Sequence, residues 1–288
     1  MVAQGDVDGA RRSFETIYKT NGEERHFDAL LAEINNSKKL AGSTKVSLSQ
    51  ALWHDEQYFR ASWVNIINII WHELAGINVI MLYSNIILTD IFGEDTGEAG
   101  FTPRQGTYVV AAINLIGAMT AIWTINHFGR RVLLLWGHAT IALSHFMIGI
   151  SIMVNWNAGV LIGICLFLFI YQNTSGPIAY QYATETVCDS ALSACLTTLY
   201  LTVLFLSLVT NPLMESKLQS QGVFFLMGTL SVFAFIYLYI YFGESMGLSR
   251  AEKKALYVPG AQWGRKLKPH EVAQSPYMPH LPAKYKRV

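Results

Sequence analysis

Four long stretches of this chain contain no Asp, Glu, Lys or Arg: residues 105–129, 132–184, 190–214 and 218–243. A fifth stretch, residues 61–89, contains a single charged side chain, that of Glu73. A helix needs roughly 20 apolar residues to cross a bilayer. Each stretch therefore holds one such helix, except the second, which is long enough for two. The sequence predicts an all-α membrane protein with six transmembrane helices.

The composition agrees with this fold class, because 52% of the residues are hydrophobic and only 14% are charged. The charged share is about half that of an ordinary soluble domain. We place the spans of the bundle, residues 61–243, at residues 62–88, 106–126, 132–154, 158–183, 191–211 and 222–242. Residues 1–60 are predicted to form short cytoplasmic linker helices, and residues 244–288 a disordered cytoplasmic tail.

The positively charged residues predict the orientation of the spans. Apart from Arg104 and Lys217, every Lys and Arg lies in residues 1–60, 127–131 or 244–288. Cytoplasmic flanks of membrane spans are enriched in Lys and Arg. We therefore expect a multi-pass protein with both termini in the cytoplasm, and we favour the plasma membrane over an internal membrane.

Two spans contain helix-breaking sequences near their middle. These are Gly-Ile-Asn at residues 76–78 and Ser-Gly-Pro at residues 175–177. A proline lacks the backbone N–H, so carbonyl groups one turn earlier lose their partner. Such groups persist at membrane depth only where they are buried in protein or line a water-filled cavity. The two breaks therefore predict a solute pathway.

A polar stripe runs along one face of the first span and consists of Asn65, Asn68, His72, Gly76 and Tyr83. Polar groups in hydrocarbon are costly unless they are satisfied. The stripe therefore faces either other helices, where it holds the bundle together, or a path for a polar solute.

Glu73 is the one carboxylate within the first span, and an intramembrane carboxylate is by default a functional hypothesis. It predicts either a proton-coupled step, which the sequence allows but does not require, or a structural pair with His72 or with a group on a neighbouring helix. A metalloprotease motif would need a second His at position 76, where the chain has Gly76. We predict no enzymatic activity, catalytic residue, metal ion, cofactor or nucleic-acid partner.

The fourth span is rich in amides and aromatic hydroxyls around its break, and the second span has Asn114 at mid-depth. Amides such as that of Gln172 bind vicinal hydroxyl groups, and an aromatic ring such as that of Tyr180 covers the apolar face of a pyranose. These side chains favour an uncharged, polyhydroxylated solute.

Four motifs, taken in order and spacing, resemble the carboxy-terminal half of a sugar porter of the major facilitator superfamily. They are "GINVIMLYS" at residues 76–84, Asn114 followed by "GRR" at 129–131, "GPIAYQYATE" at 176–185 and "GESMGLSRAE" at 243–252. The resemblance extends from about Arg11 to Glu252. It implies six spans that form one half of a twelve-span fold, and facilitative or proton-coupled transport of a hexose or similar polyol.

The resemblance also implies roles for particular residues. His72 and Glu73 stand in the places of two sugar-binding glutamines, while Asn78, Tyr83, Asn114 and Tyr180 match other binding positions. With Gln172, the predicted substrate site is His72, Glu73, Asn78, Tyr83, Asn114, Gln172 and Tyr180. The predicted cytoplasmic gate is Gly129, Arg130, Arg131, Glu185, Glu244 and Glu252.

Several gate positions depart from the family pattern. Asn126 replaces an acid, Leu192 an arginine and Met246 a lysine, which predicts weak inter-half salt bridges. Since alternating access moves one half against another, six spans supply one wall of the cavity. We expect the chain alone not to transport and to need an amino-terminal half or a partner subunit. The alternative is a non-transporting membrane receptor, sensor or assembly subunit derived from the family.

Overall fold

The computed structural model describes residues 6–18, 27–28, 31, 46–55, 58–92, 102–248, 253–254 and 256–257. It divides into two compact units, residues 1–47 and 48–288. In the first unit, helix α1 (Val7–Tyr18) carries Arg11, which forms a 3.0 Å ion pair with Asp28. Most of the remaining predicted linker in that unit lies outside the described residues.

All regular elements in the described part of the second unit are helices. It begins with a π-helical turn, Gln50–His54. The α-helices that follow are α2 (Phe59–Leu74), α3 (Ile77–Phe92), α4 (Pro103–His127), α5 (Arg130–Met153), α6 (Asn157–Asn173), α7 (Ser175–Thr186), α8 (Asp189–Glu215) and α9 (Gln219–Tyr241). They supply six segments long and apolar enough to cross a membrane. The predicted fold class and number of spans are confirmed.

The ends of these helices follow from local sequence. The hydroxyl of Thr102 accepts a hydrogen bond from the backbone N–H of Gln105, whose side chain accepts one from the N–H of Thr102. This reciprocal pair satisfies two backbone donors at the start of α4, and Pro103 needs none. The same helix ends at His127, where Phe128 and Gly129 adopt extended backbone and reverse the chain into α5.

The packing of the bundle is uneven. Helix α5 packs against α6 and α9, α4 packs against α6, and α2 packs against α7 and α8. The main core lies among the first, third and fourth spans and includes Ile80, Ile141, Ile148 and Phe167. Only 17% of the apolar windows of α4 and α8 are buried within the structure, against 50–56% for those three spans. Helices α4 and α8 thus leave large apolar faces uncovered.

The segment after the last span differs from the disordered tail that we expected from residue 244 onward. Among its described residues, Ser245, Leu256 and Tyr257 are buried. The sequence showed no apolar period there because these contacts are made one residue at a time rather than along a helix face. Glu252 and the residues beyond 257 lie outside the described part of the chain.

Candidate functional site

The break in the first span lies between α2 and α3, at Ala75 and Gly76. Gly76 has a φ of +92°, a conformation that side-chain-bearing residues rarely adopt, and a Cβ there would lie 3.2 Å from the ring of His145. The carbonyl of Ala75, freed by the break, accepts a 2.7 Å hydrogen bond from Nε2 of His145 on α5. The break is therefore satisfied by protein, as membrane depth requires.

The break in the fourth span lies at Thr174, between α6 and α7, where φ is −128° and ψ is −90°. The Thr174 hydroxyl donates a 2.7 Å hydrogen bond to the carbonyl of Ile170. Pro177 falls in the first turn of α7, where its missing N–H leaves no partner unsatisfied. Both breaks that the sequence indicated are present in the structure.

His72 connects the two breaks. It lies in the last turn of α2, and its Nδ1 is 3.0 Å from Oγ of Ser175, the first residue of α7. Its Nε2 is 2.9 Å from the hydroxyl of Tyr171, in the last turn of α6. The imidazole also stacks on the Tyr171 ring, with 5.2 Å between centroids. Both ring nitrogens are engaged within the bundle, and only 2% of His72 is exposed.

Glu73 is equally enclosed, with 3% of the residue exposed. One carboxylate oxygen accepts a hydrogen bond from the amide of Asn78, across the first break, and the other lies 3.6 Å from Nε2 of His72. His72 and Glu73 were predicted to bind substrate directly. In the structure their described contacts are with other protein groups, and direct binding of substrate by these two residues stays a prediction.

The remaining predicted substrate residues are more open. Tyr180 is 39% exposed, and its ring meets the edge of His72 at 5.3 Å between centroids. Asn114 on α4 and Gln172 on α6 are half-buried, and the Gln172 amide donates a 2.6 Å hydrogen bond to the Asn114 side-chain oxygen. The Gln172 side-chain oxygen would lie 3.3 Å from a Cβ on Gly176, next to the second break.

Tyr83 occupies a different position. Its hydroxyl donates a 3.3 Å hydrogen bond to the carbonyl of Ser207 on α8, and its ring packs against two hydrophobic clusters. No hydrogen bond or ring contact in the described structure joins Tyr83 to His72, Glu73 or Asn78. The structure thus brings together His72, Glu73, Asn78 and Tyr180, and places the Asn114–Gln172 pair beside the fourth-span break, while Tyr83 bonds to α8 instead.

The first half of the polar stripe holds helices together. Asn65 donates hydrogen bonds to the carbonyl of Ala61 and, at 2.9 Å, to the hydroxyl of Thr186 on α7. Asn68 is 1% exposed and its side-chain amide has no partner within the described structure. The polar stripe was expected either to bond to other helices or to face a solute path. For Asn65 and His72 the described contacts are bonds to other helices.

The predicted gate residues meet at the other end of α7. Glu185 lies 3.5 Å from a guanidinium nitrogen of Arg130 and 2.9 Å from the ammonium group of Lys253, and it accepts a 2.8 Å hydrogen bond from Ser245. We call these four residues the Glu185 cluster. Lys253 was not identified from the sequence, which showed the loss of cations at Leu192 and Met246 but not their replacement, and Lys253 supplies a cation that neither of those positions provides.

Glu244 makes a different set of contacts in the same region. Its two carboxylate oxygens accept hydrogen bonds from the backbone N–H groups of Arg130, at 2.9 Å, and Arg131, at 3.2 Å. A carboxylate at a helix N-terminus satisfies free donors and complements the helix dipole. A Cβ on Gly129 would collide with this carboxylate, which explains why glycine precedes the two arginines.

Two buried histidines on α5 were also not identified from the sequence. His145 bonds to the carbonyl at the first break, as described above, and both ring nitrogens of His138 have no hydrogen-bond partner within the described structure. Both are fully buried. A histidine on an otherwise apolar span was a signal that could have identified them. Among the described residues no group of three His, Cys, Asp or Glu side chains could hold a metal ion.

The geometry described above is a six-span bundle with two facing broken helices and a charged cluster at one end. The profile of the sugar (and other) transporter family matches residues 1–257. This chain belongs to the sugar transporter family. Its fold agrees with that assignment, and it is an integral, multi-pass membrane protein, with six helices in its described part that are long and apolar enough to cross a membrane.

Several relatives within the family are similar to this chain along most of its length. A probable metabolite transport protein of Bacillus subtilis, CsbC, is 26% identical over 266 residues, which cover 88% of this chain and 54% of that protein. The hexose transporter HXT10 of Saccharomyces cerevisiae is 24% identical, with 89% and 49% covered. The facilitated glucose transporter member 7 of Mus musculus is 22% identical, with 99% and 55% covered.

Solved structures agree on the fold. The proton:xylose symporter XylE bound to 6-bromo-6-deoxy-D-glucose superposes with a TM-score of 0.68 at 18% identity, over 87% of this chain and 53% of that one. The inward open form of XylE from E. coli gives a TM-score of 0.60 at 20% identity. The chain spans about half the length of the curated relatives and of the structures that it matches.

Proposed function

We propose that this chain forms the carboxy-terminal half of a sugar porter and supplies one wall of the path for a hexose or similar polyol. The observation that carries the proposal is the set of half-exposed amides and phenol beside two helix breaks: Asn78, Asn114, Gln172 and Tyr180. Amides can both donate to and accept from sugar hydroxyls, and the Tyr180 ring can cover an apolar sugar face.

The chemistry around these groups favours an uncharged solute. Around the two breaks Glu73 is the only acidic side chain among the contacts described, and it is already bonded to Asn78 and close to His72. A carboxylate beside an imidazole can exchange a proton, so Glu73 and His72 are the pair through which a proton-coupled version of the cycle would operate.

The uncovered apolar faces of α4 and α8 support the need for a second half. Side chains that line these faces include Leu115, Met119, Ile122, Leu204 and Leu208, all more than half exposed. We propose that a further six-span half covers part of these faces, with lipid on the rest, and that both termini of this chain are cytoplasmic in the assembled protein.

Uptake of labelled glucose tests this function. Three versions are compared in cells that lack hexose carriers: the chain alone, the chain co-expressed with the first six spans of the Bacillus subtilis relative, and the chain fused behind those spans. We expect uptake only in the second and third versions, where an amino-terminal half is present. Absence of uptake from a fusion that reaches the membrane would contradict the proposal. Sugar binding without uptake would instead support the non-transporting receptor.

A further inference from the structure

The chain beyond the last span returns to the bundle at Tyr257, which is 3% exposed. Its hydroxyl lies 2.5 Å from the hydroxyl of Tyr182 on α7 and accepts a 3.1 Å hydrogen bond from the backbone N–H of Gly243. The Tyr182 hydroxyl in turn donates a 2.9 Å hydrogen bond to the Gly243 carbonyl. Four polar groups on three residues, which burial would otherwise leave unsatisfied, are thus hydrogen-bonded to one another.

Apolar contacts surround this triangle. The Tyr182 ring stacks on that of Phe242, with 3.8 Å between centroids. Leu256 packs directly on Gly243, since a Cβ at that glycine would lie 2.8 Å from the leucine side chain. The segment is therefore held by close packing as well as by hydrogen bonds.

A second anchor lies nearby on the same helix face. Glu185 follows Tyr182 by three residues, a spacing that places both on one side of α7. Lys253, four residues before Tyr257, reaches Glu185 with a 2.9 Å ion pair in which both side chains are mostly buried. We call the described residues 253–254 and 256–257 the strap.

The attachment matters because α7 is a short half-helix of 12 residues that begins at the break at Thr174. A half-helix joined to its neighbour through a break can pivot, and its opposite end, which carries Glu185, is joined to α8 only through Val187 and Cys188. Gly243 lies two residues after the end of α9, so the strap ties the Glu185 end of α7 to the last span.

We propose that the strap clamps α7 through Tyr257 and Lys253, and that these two are positioning residues for Glu185. A role for the strap in transport rests on the proposed function. In that cycle the strap must loosen whenever the Glu185 end of α7 moves. Burial raises the pKa of Tyr257 to about 12, so its hydroxyl stays protonated at ordinary pH. Because the pKa is raised above its ordinary value of 10, the stabilisation that the protonated Tyr257 hydroxyl gives to the docked strap is complete below about pH 10. It is lost as the pH rises through about 12.

Thiol labelling of the full chain in nanodiscs tests the clamp without any need for transport. Cys165, Cys188 and Cys195 are first replaced by serine, and a single cysteine is then introduced as Leu256→Cys. Its reaction with a membrane-impermeant maleimide is compared with that of Thr184→Cys, an exposed position on α7. We expect slow labelling at position 256, and roughly tenfold faster labelling after Tyr182→Phe, which removes about 1.4 kcal/mol of hydrogen bonding.

Labelling at position 256 as fast as at position 184, or no change after Tyr182→Phe, would overturn the clamp. The Lys253 anchor is tested by Lys253→Gln, which should also speed labelling, and Lys253→Arg, which should restore the slow rate. In the uptake assay Lys253→Gln should change the maximal rate and leave the half-saturating sugar concentration unchanged. If labelling at position 256 is as expected but the protein shows no uptake, the clamp is supported and only the proposed function is contradicted.

Discussion

Replacing Asn114 with alanine is expected to raise the sugar concentration that half-saturates uptake by roughly 10- to 100-fold. The substitution removes one amide from the wall of the path and deprives the half-buried Gln172 amide of its 2.6 Å partner. Loss of the hydrogen bond between the Asn114 amide and a sugar hydroxyl, which leaves the hydroxyl unpaired in the bound state, costs about 1–3 kcal/mol, and each 1.4 kcal/mol is a factor of ten. The effect is measured by glucose uptake in cells that express this chain together with the amino-terminal half of the Bacillus subtilis relative.

A matched control exists on the same helix. Asn126, 12 positions later on α4, is exposed, and its amide donates only to the carbonyl of Ile122 in its own helix. Asn126→Ala should leave the half-saturating concentration within about twofold of the parent, since Asn126 bonds only within its own helix and has no described hydrogen bond to the residues beside the two helix breaks, where the sugar is proposed to bind. Equal effects of the two substitutions would show that the Asn114–Gln172 pair has no particular part in solute binding.

Replacing His72 with alanine is expected to destabilise the bundle by about 3 kcal/mol, because it leaves the hydroxyls of Ser175 and Tyr171 buried without their partner. It also opens a cavity between α2, α6 and α7. In a chain of this size the apparent unfolding midpoint should fall by roughly 6–12 °C, as measured by thermal unfolding in detergent.

The control for this substitution is His127→Ala. His127 is also in the last turn of its helix, but it is exposed, and its ring bonds only to the carbonyl of Trp123 and stacks on the same residue. Its loss should move the midpoint by less than about 2 °C. A His72→Ala protein as stable as the His127→Ala protein would mean that His72 does not join the two broken helices.

The number of spans and the positions of the two breaks could be predicted from the sequence, because both depend on local properties. A run without charge of sufficient length fixes a span, and Gly76 and Pro177 limit how the helix can continue. Helical periodicity also placed Asn65, Asn68 and His72 on one face. It could not say how far each residue is buried or which helix lies opposite.

The contacts that decide the roles of His72, Glu73 and Lys253 join residues far apart in the chain or across a break. Ser175 is 103 residues from His72, and Asn114 is 58 from Gln172. No local pattern encodes such pairs. The docking of Tyr257 was missed for the same reason, since its partners Tyr182 and Gly243 become neighbours only once α7 and α9 have packed.

The most direct test of a sugar path along this chain is thiol accessibility with and without sugar. In the cysteine-free background, Asn114→Cys and Tyr180→Cys are labelled with a membrane-impermeant reagent in the paired halves, beside Leu204→Cys on the apolar face of α8. We expect the first two to react, excess glucose to slow both reactions, and an uncharged alcohol of similar concentration to slow neither. Cysteines at positions 114 and 180 that stay unreactive, or that react at a rate sugar does not change, would contradict a sugar path along this chain.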